Sequence, residues 1–212
     1  EFVWSPWLFV PVSTAVLWFS INATNCSDGV DGLAGALSLL SLLYLGALLY
    51  AGVGHRGVAR YLLLSHQPEG AMWALLVFTF LGTLSAYLWF NAEPSAMLMG
   101  DAGSRPLGLL TGVAVMATGN PFLILVVAPI LLVNGGAGFV KLALLRVCKR
   151  LGFDTAAETA RGPLRLLHKI RLPLHDHCRR HLGWSNAQVL MRFTLLQALL
   201  IPLLLVLLVK LR

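Results

Sequence analysis

Charge is what this 212-residue sequence has least of: Asp, Glu, Lys and Arg together make up 12% of it, against 58% hydrophobic residues. With a mean hydropathy of +0.78, too little polar surface is left for a soluble enzyme, and several membrane helices are expected instead. Cysteine is as sparse. Cys26, Cys148 and Cys178 lack paired zinc spacing and fall in or beside segments read below as cytoplasmic, so free thiols are expected. There is no internal repeat, low-complexity tract or signal peptide, since the first segment opens on an acid and carries several Trp. The net charge of +7 does not imply nucleic acid as a partner: the basic residues adjoin apolar spans with no aromatic stacking pattern between them.

What is abundant is long apolar runs. Six spans are expected, near residues 2–21, 33–51, 71–90, 107–118, 122–145 and 189–209, each close to the ~20 residues that cross a bilayer except the short fourth. The fold class is therefore all-α: one polytopic helical bundle over residues 1–212. Gly119-Asn120-Pro121 predicts a tight turn into the fifth span. That span carries Pro129 and the run Asn134 to Gly138, which predicts a kink or break with close helix packing at the glycines. Residues 141–187 hold ten Lys or Arg and three acids, so this loop is expected on the cytoplasmic side. Counting spans backward puts residues 22–32 and 91–106 on the same side, and Arg56 and Arg60 on the other. The basic loop suits anionic lipid heads, at ~1 kcal/mol per basic residue, with one or two of its arginines available to hold a pyrophosphate. Within it, Leu164, Leu167 and Ile170 are spaced for one face of an amphipathic helix.

Three polar segments then stand out. The first runs Asn22-Ala23-Thr24-Asn25-Cys26-Ser27-Asp28-Gly29-Val30-Asp31-Gly32-Leu33-Ala34. Two carboxylates and two carboxamides at a membrane boundary are costly unless they hold something. Asp28 and Asp31 would share a face in the first turn of a helix, and a helix N-cap alone would account for Asp28 but not for the set. The second contains Phe90-Asn91-Ala92-Glu93-Pro94 and Leu98-Met99-Gly100-Asp101-Ala102-Gly103-Ser104. Asp101 is expected at a loop end before a span, where an Asx turn is the plain alternative to a metal ligand, and Ser104 as a cap of the next helix. The third is Pro173-Leu174-His175-Asp176-His177 followed by Gly183-Trp184. On an extended loop His175 and His177 would face the same way. A zinc site is not supported by their spacing.

In this order the segments resemble the N-x-x-N-x-[ST]-D-G-x-D-G-L-A, F-N-x-x-P…F-M-G-D-x-G-S and P-[IL]-H-H-H…G-W motifs of the polyprenyl-phosphate sugar-1-phosphate transferases, of glycosyltransferase 4 type. The third motif marks the branch that acts in peptidoglycan synthesis. The resemblance implies phosphoryl transfer at the cytoplasmic face of the bacterial plasma membrane. The donor would be UDP-N-acetylmuramoyl-pentapeptide and the acceptor undecaprenyl phosphate, with UMP released and lipid I formed. It implies Mg2+, or Mn2+, on Asp101; Asp28, Asp31 and His175 beside it in the reaction; and Asn25, Gly29, Asn91 and His177 on the substrate. Leu98 stands where the family has Phe and Asp176 where it has the middle His, both on the substrate wall. Residues 154–169 exceed the family's usual loop. The family also has four earlier spans with a paired-aspartate segment. The chain, opening at Glu1, is thus expected to be the C-terminal part of a larger enzyme, inactive alone and with its catalytic base unassigned. That N-terminal part, and a second copy of the chain in a homodimer, are the expected protein partners. Two other functions fit the first two motifs: a transferase for an N-acetylhexosamine phosphate, and a non-catalytic lipid-phosphate carrier.

Overall fold

The computed structural model describes residues 5–62, 64–151 and 171–210. Among them there is no strand, and the chain is a bundle of helices. The order is α1 (Pro6–Ser27), α2 (Leu33–Ala47) continued by a π turn (Leu48–Val53), α3 (Arg56–Tyr61), α4 (Gly70–Asn91) and α5 (Gly100–Ala117). A broken helix follows: a 3-10 turn (Pro121–Leu123), α6 (Ile124–Val127), α7 (Pro129–Leu131), a π turn (Leu132–Gly136) and α8 (Ala137–Arg150). The chain closes with α9 (Leu174–His181) and α10 (Asn186–Lys210).

Five helices are long and apolar enough to cross a membrane: Pro6–Ser27, Leu33–Val53, Gly70–Asn91, Pro129–Arg150 and Asn186–Leu208. The remaining expected span is α5, whose first two turns carry Asp101 and Arg105, so only its later part is apolar. The chain is a multi-pass membrane protein. α2 lies at its centre, with Leu33, Leu37, Leu42 and Leu45 fully buried, as a helix apolar all round should be.

Small residues bring the backbones together. A Cβ on Gly108 would lie 2.7 Å from the Ile21 Cα, so α5 crosses α1 backbone to backbone. A Cβ on Gly135 would collide with the Ala23 carbonyl and lie 2.8 Å from the Ser27 Oγ, and one on Gly136 would enter the Phe19 ring. The glycine run of the broken helix therefore serves close packing. The break itself follows from Ala128, whose φ of −132° and ψ of 40° interrupt the helical ladder before Pro129. The Leu131 N–H then donates to Gln197 Oε1 at 3.1 Å, and Gln197 Nε2 donates to the Leu37 carbonyl at 2.5 Å and to Ser41 Oγ at 3.2 Å. Buried irregular backbone in a membrane protein requires such a substitute partner.

Several boundaries differ from expectation. α1 runs six residues past Ile21 to Ser27, because Asn22, Thr24 and Ser27 bond back to the carbonyls of Trp18, Ser20 and Ala23 and are satisfied inside the helix. The expected loop from residue 141 begins only after Arg150, since α8 continues to there. The amphipathic stretch at 164–170 and most of the insert at 154–169 lie outside the described residues. The turn at Gly119 has φ +80° and meets Gln67. Arg56 and Arg60 are thus at the end of the bundle opposite the three motifs, as expected.

Candidate functional site

The turn between α1 and α2 is the floor of the site. Asp28 is the C-terminal cap of α1 and Gly32, with φ +77°, is the residue before α2. Asp28 and Asp31 thus stand in an interhelical turn and not in a helical first turn, and the N-cap explanation of Asp28 falls away. The chain can turn this tightly because Gly32 accepts a left-handed backbone. Its N–H donates to Asn91 Oδ1 at 2.7 Å.

That contact decides what Asn91 does. The residue is buried, and its Nδ2 donates to the Met97 carbonyl at 2.6 Å and to Ser95 Oγ at 2.9 Å. Both amide protons are occupied, so Asn91 ties the first motif to the second from beneath. Asn25 makes the other tie: its Nδ2 donates to Asp101 Oδ1 at 2.8 Å and to Ser104 Oγ at 3.0 Å. Asp101 is in the first turn of α5, not at a loop end, where a carboxylate meets the positive end of the helix dipole. Ser104 lies inside α5 and donates to the Gly100 carbonyl at 2.9 Å, so it is no cap.

The carboxylates differ in environment. Asp101 is exposed; the Asn25 hydrogen bond and then the charge of Arg105, 2.7 Å away, hold it below the usual carboxylate value. Asp28 is half-buried, and burial raises it above that value, with Asp31 and Asp101 adding to the shift and the Gly100 N–H opposing it. Asp28 thus senses both neighbouring carboxylates. Among the described residues no three His, Cys, Asp or Glu side chains form a protein-only metal cage. The donor set nevertheless fits a hard divalent cation of the magnesium type, which keeps several waters and takes one or two carboxylates plus substrate phosphates. Asp101, exposed and charged, is the carboxylate that could take one.

The third motif folds as helix α9 rather than an extended loop, so His175 and His177 point apart. Asp176 and the basic run Arg179, Arg180, His181 sit at its two ends and suit the helix dipole. His175 is buried. Its backbone N–H donates to Asn134 Oδ1 at 2.9 Å, and its Nδ1 lies 3.1 Å from the same oxygen. The backbone N–H can only donate, so it fixes the orientation of the Asn134 amide. Nδ1 therefore carries the ring proton, leaving Nε2 as an acceptor. That Nε2 is packed over the Gly29 Cα, where a Cβ would collide with it and would lie 2.9 Å from Cε1. His177 is turned away: its Nδ1 accepts the Arg171 N–H at 3.3 Å and its ring stacks on His181 at 4.6 Å. Asp176 is held by Arg171 and Arg180, each at 2.7 Å; burial opposes its ionisation, but the hydrogen bond and charge of Arg180 outweigh that and keep it below the usual value. Leu98 is 76% exposed and lines an apolar groove with Tyr87, Met97 and Pro106.

Asn25, Gly29, Asp28, Asp31, Asp101 and His175 are thus brought to one end of the bundle, and His177 and Asp176 face elsewhere. The sequence places Asn134 only in the kinked glycine run and marks no role for Arg105 or Gln197. A lone carboxamide in an apolar helix was the available signal for Asn134 and Gln197.

Burial pushes the His175 imidazole below its ordinary 6.5. The native state then binds fewer protons than the unfolded state as pH falls through 6.5, and stability is lost in that direction. Thermal stability is expected to drop between pH 7 and 5.5, with a shallower slope in His175→Asn; melting curves across that range check it.

Residues 1–119 match glycosyl transferase family 4, a stretch holding the first two motifs. Among curated proteins the chain is 50% identical over 208 residues to the phospho-N-acetylmuramoyl-pentapeptide-transferase of Treponema pallidum (strain Nichols), covering 98% of this chain and 53% of that protein. The proteins of the same name from Gemmatimonas aurantiaca and Nautilia profundicola are 30% and 29% identical over 90% and 97% of this chain, and 48% and 52% of theirs. The chain spans about half the length of the curated relatives it matches. With its first two motifs tied by Asn25 and Asn91 and the third seated on Gly29, the chain belongs to glycosyl transferase family 4.

Proposed function

We propose that this chain carries the donor- and cation-binding side of an enzyme that moves phospho-N-acetylmuramoyl-pentapeptide from UDP to undecaprenyl phosphate, releasing UMP and forming lipid I. The observation that carries the reading is the joining of all three motifs at one end of the bundle, through Asn25 with Asp101 and Gly29 with His175. The relatives' printed names supply the transferred group.

A lipid-phosphate oxygen attacks the sugar-linked phosphorus of the donor, and the bond from that phosphorus to UMP breaks. A divalent Mg2+ or Mn2+ ion on Asp101, when bound, would neutralise charge on the pyrophosphate. The protein's own groups then have separate tasks. Asn25 fixes the Asp101 carboxylate through a direct hydrogen bond. Asp28 and Asp31, on the turn beneath, accept hydrogen bonds from the donor's nucleoside. Gly29 makes room for the His175 imidazole, which seats the third motif on the turn that carries Asp28 and Asp31. Leu98 gives the uracil an aliphatic wall in place of a ring. The seated third motif favours this donor over an N-acetylhexosamine one.

The test is turnover by the whole protein in detergent with magnesium, UDP-N-acetylmuramoyl-pentapeptide and undecaprenyl phosphate. UMP and a lipid pyrophosphate are expected. Release of UMP only from UDP-N-acetylglucosamine would replace this reading with the hexosamine one. The basic segments beside α9 support a site at the cytoplasmic face of the plasma membrane. Leu182→Cys, in a background without native cysteines, is then expected to resist an impermeant thiol reagent in intact cells; ready labelling from outside would invert the topology.

A further inference from the structure

Beside the site lies a second cavity that none of the motif roles claims. Glu93, Arg179, Arg180, Trp184, Ser185 and Asn186 line about 600 Å³ of open space. It adjoins the site by sequence and structure: Glu93 is two residues beyond Asn91, and Arg179 is one helical turn beyond His175 on α9.

Its charges are arranged unusually. Arg180 is held by Asp176 at 2.7 Å. Arg179, by contrast, has no hydrogen bond or salt bridge among the described residues, and its charge is felt by His175. Glu93 has one weak polar contact, from Asn186 Nδ2 at 3.5 Å. A carboxylate and a guanidinium that share the lining of one cavity, yet are not paired across it, complement a ligand with both signs of charge. Trp184 supplies a wall: its ring lies 4.2 Å beneath the Arg192 guanidinium, and its backbone N–H donates to the Cys178 carbonyl at 3.2 Å.

Polyphosphate is a poor match, because Glu93 would repel it. A peptide suits better, since it offers carboxylates, N–H groups and apolar side chains together. We infer that this cavity seats the peptide arm of the donor, Arg179 pairing with a carboxylate and Glu93 with an amine or amide N–H of that arm. The assignment rests on the proposed transferase reading and names the part of its donor that would lie outside the reacting centre. Five residues in extended form reach at most about 17 Å, so the arm can leave the phosphates and cross to α9.

The experiment compares two donors in the whole protein: UDP-N-acetylmuramoyl-pentapeptide, and the same nucleotide sugar ending after the first amino acid. Arg179→Ala removes a charge-assisted bond and is expected to raise KM for the full donor roughly tenfold or more, with kcat within about twofold. KM for the trimmed donor should stay within about twofold of wild type. Glu93→Gln should show the same selectivity with a smaller effect. Equal changes for both donors, or none for either, would overturn the subsite while leaving the transferase reading standing. A wild-type protein that turns over neither donor would overturn both.

Discussion

Replacing Asp101 by Asn is expected to reduce turnover by at least about a hundredfold without unfolding the protein. The substitution keeps an oxygen that can accept the Asn25 amide proton, so the tie between the first two motifs remains. What disappears is the negative charge. In the native protein the Asn25 bond and Arg105 both keep that charge in place on an exposed side chain, as a cation-binding carboxylate requires. The fold should tolerate the change because the exposed Asp101 and Arg105 pair adds little stability. Initial rates at saturating donor, with a melting curve on the same preparation, check both halves. Activity within a few-fold of wild type would remove Asp101 from the cation site and leave Asp28 as the alternative.

Adding one methyl group at Gly29 is expected to be nearly as disruptive to the site, by a different route. The position faces solvent, so Ala would ordinarily be harmless there. Its Cβ would instead enter the His175 ring, lying 2.9 Å from Cε1 and 3.3 Å from Cδ2. The ring cannot easily retreat, since Asn134 holds both its Nδ1 and its backbone N–H. Overpacking of this kind costs about 1–3 kcal/mol, and it would separate the third motif from the first. A double-mutant cycle isolates the contact. In a His175→Ala background the added methyl should cost far less than alone, in both stability and rate. Additive effects would mean that Gly29 matters for some reason other than the imidazole above it.

Much of the architecture was legible because apolar length and basic-residue bias are strong signals in a membrane chain. The helix break at Pro129 and the packing role of Gly135 and Gly136 could be read from composition alone. The convergence of the three segments followed from counting spans. Element boundaries differ from expectation where polar residues suggest a loop. Asn22, Thr24 and Ser27 look like a boundary, yet each returns its side chain to a carbonyl four residues back. His175 and His177 were assigned a two-residue period when α9 imposes 3.6; the proline before them and the arginines after them mark that helix at both ends. Asn91, which the resemblance puts on the substrate, spends its side-chain hydrogen bonds on the protein. Which carboxamide faces outward and which inward depends on tertiary partners that spacing does not encode.

Gln197 has a consequence for biogenesis. The Leu131 N–H, left without its helical acceptor by the break, finds one in α10, which follows it by some sixty residues in the chain. Until that helix arrives, the segment that carries Asn134, and through it His175, has an unmet donor in the apolar layer. Insertion of the earlier helices therefore cannot complete the motif-bearing end of the bundle on its own. α10 acts as a latch: a chain halted before it should keep an unsatisfied donor that a membrane quality-control protease can recognise, even though the first two motifs are already in the bilayer.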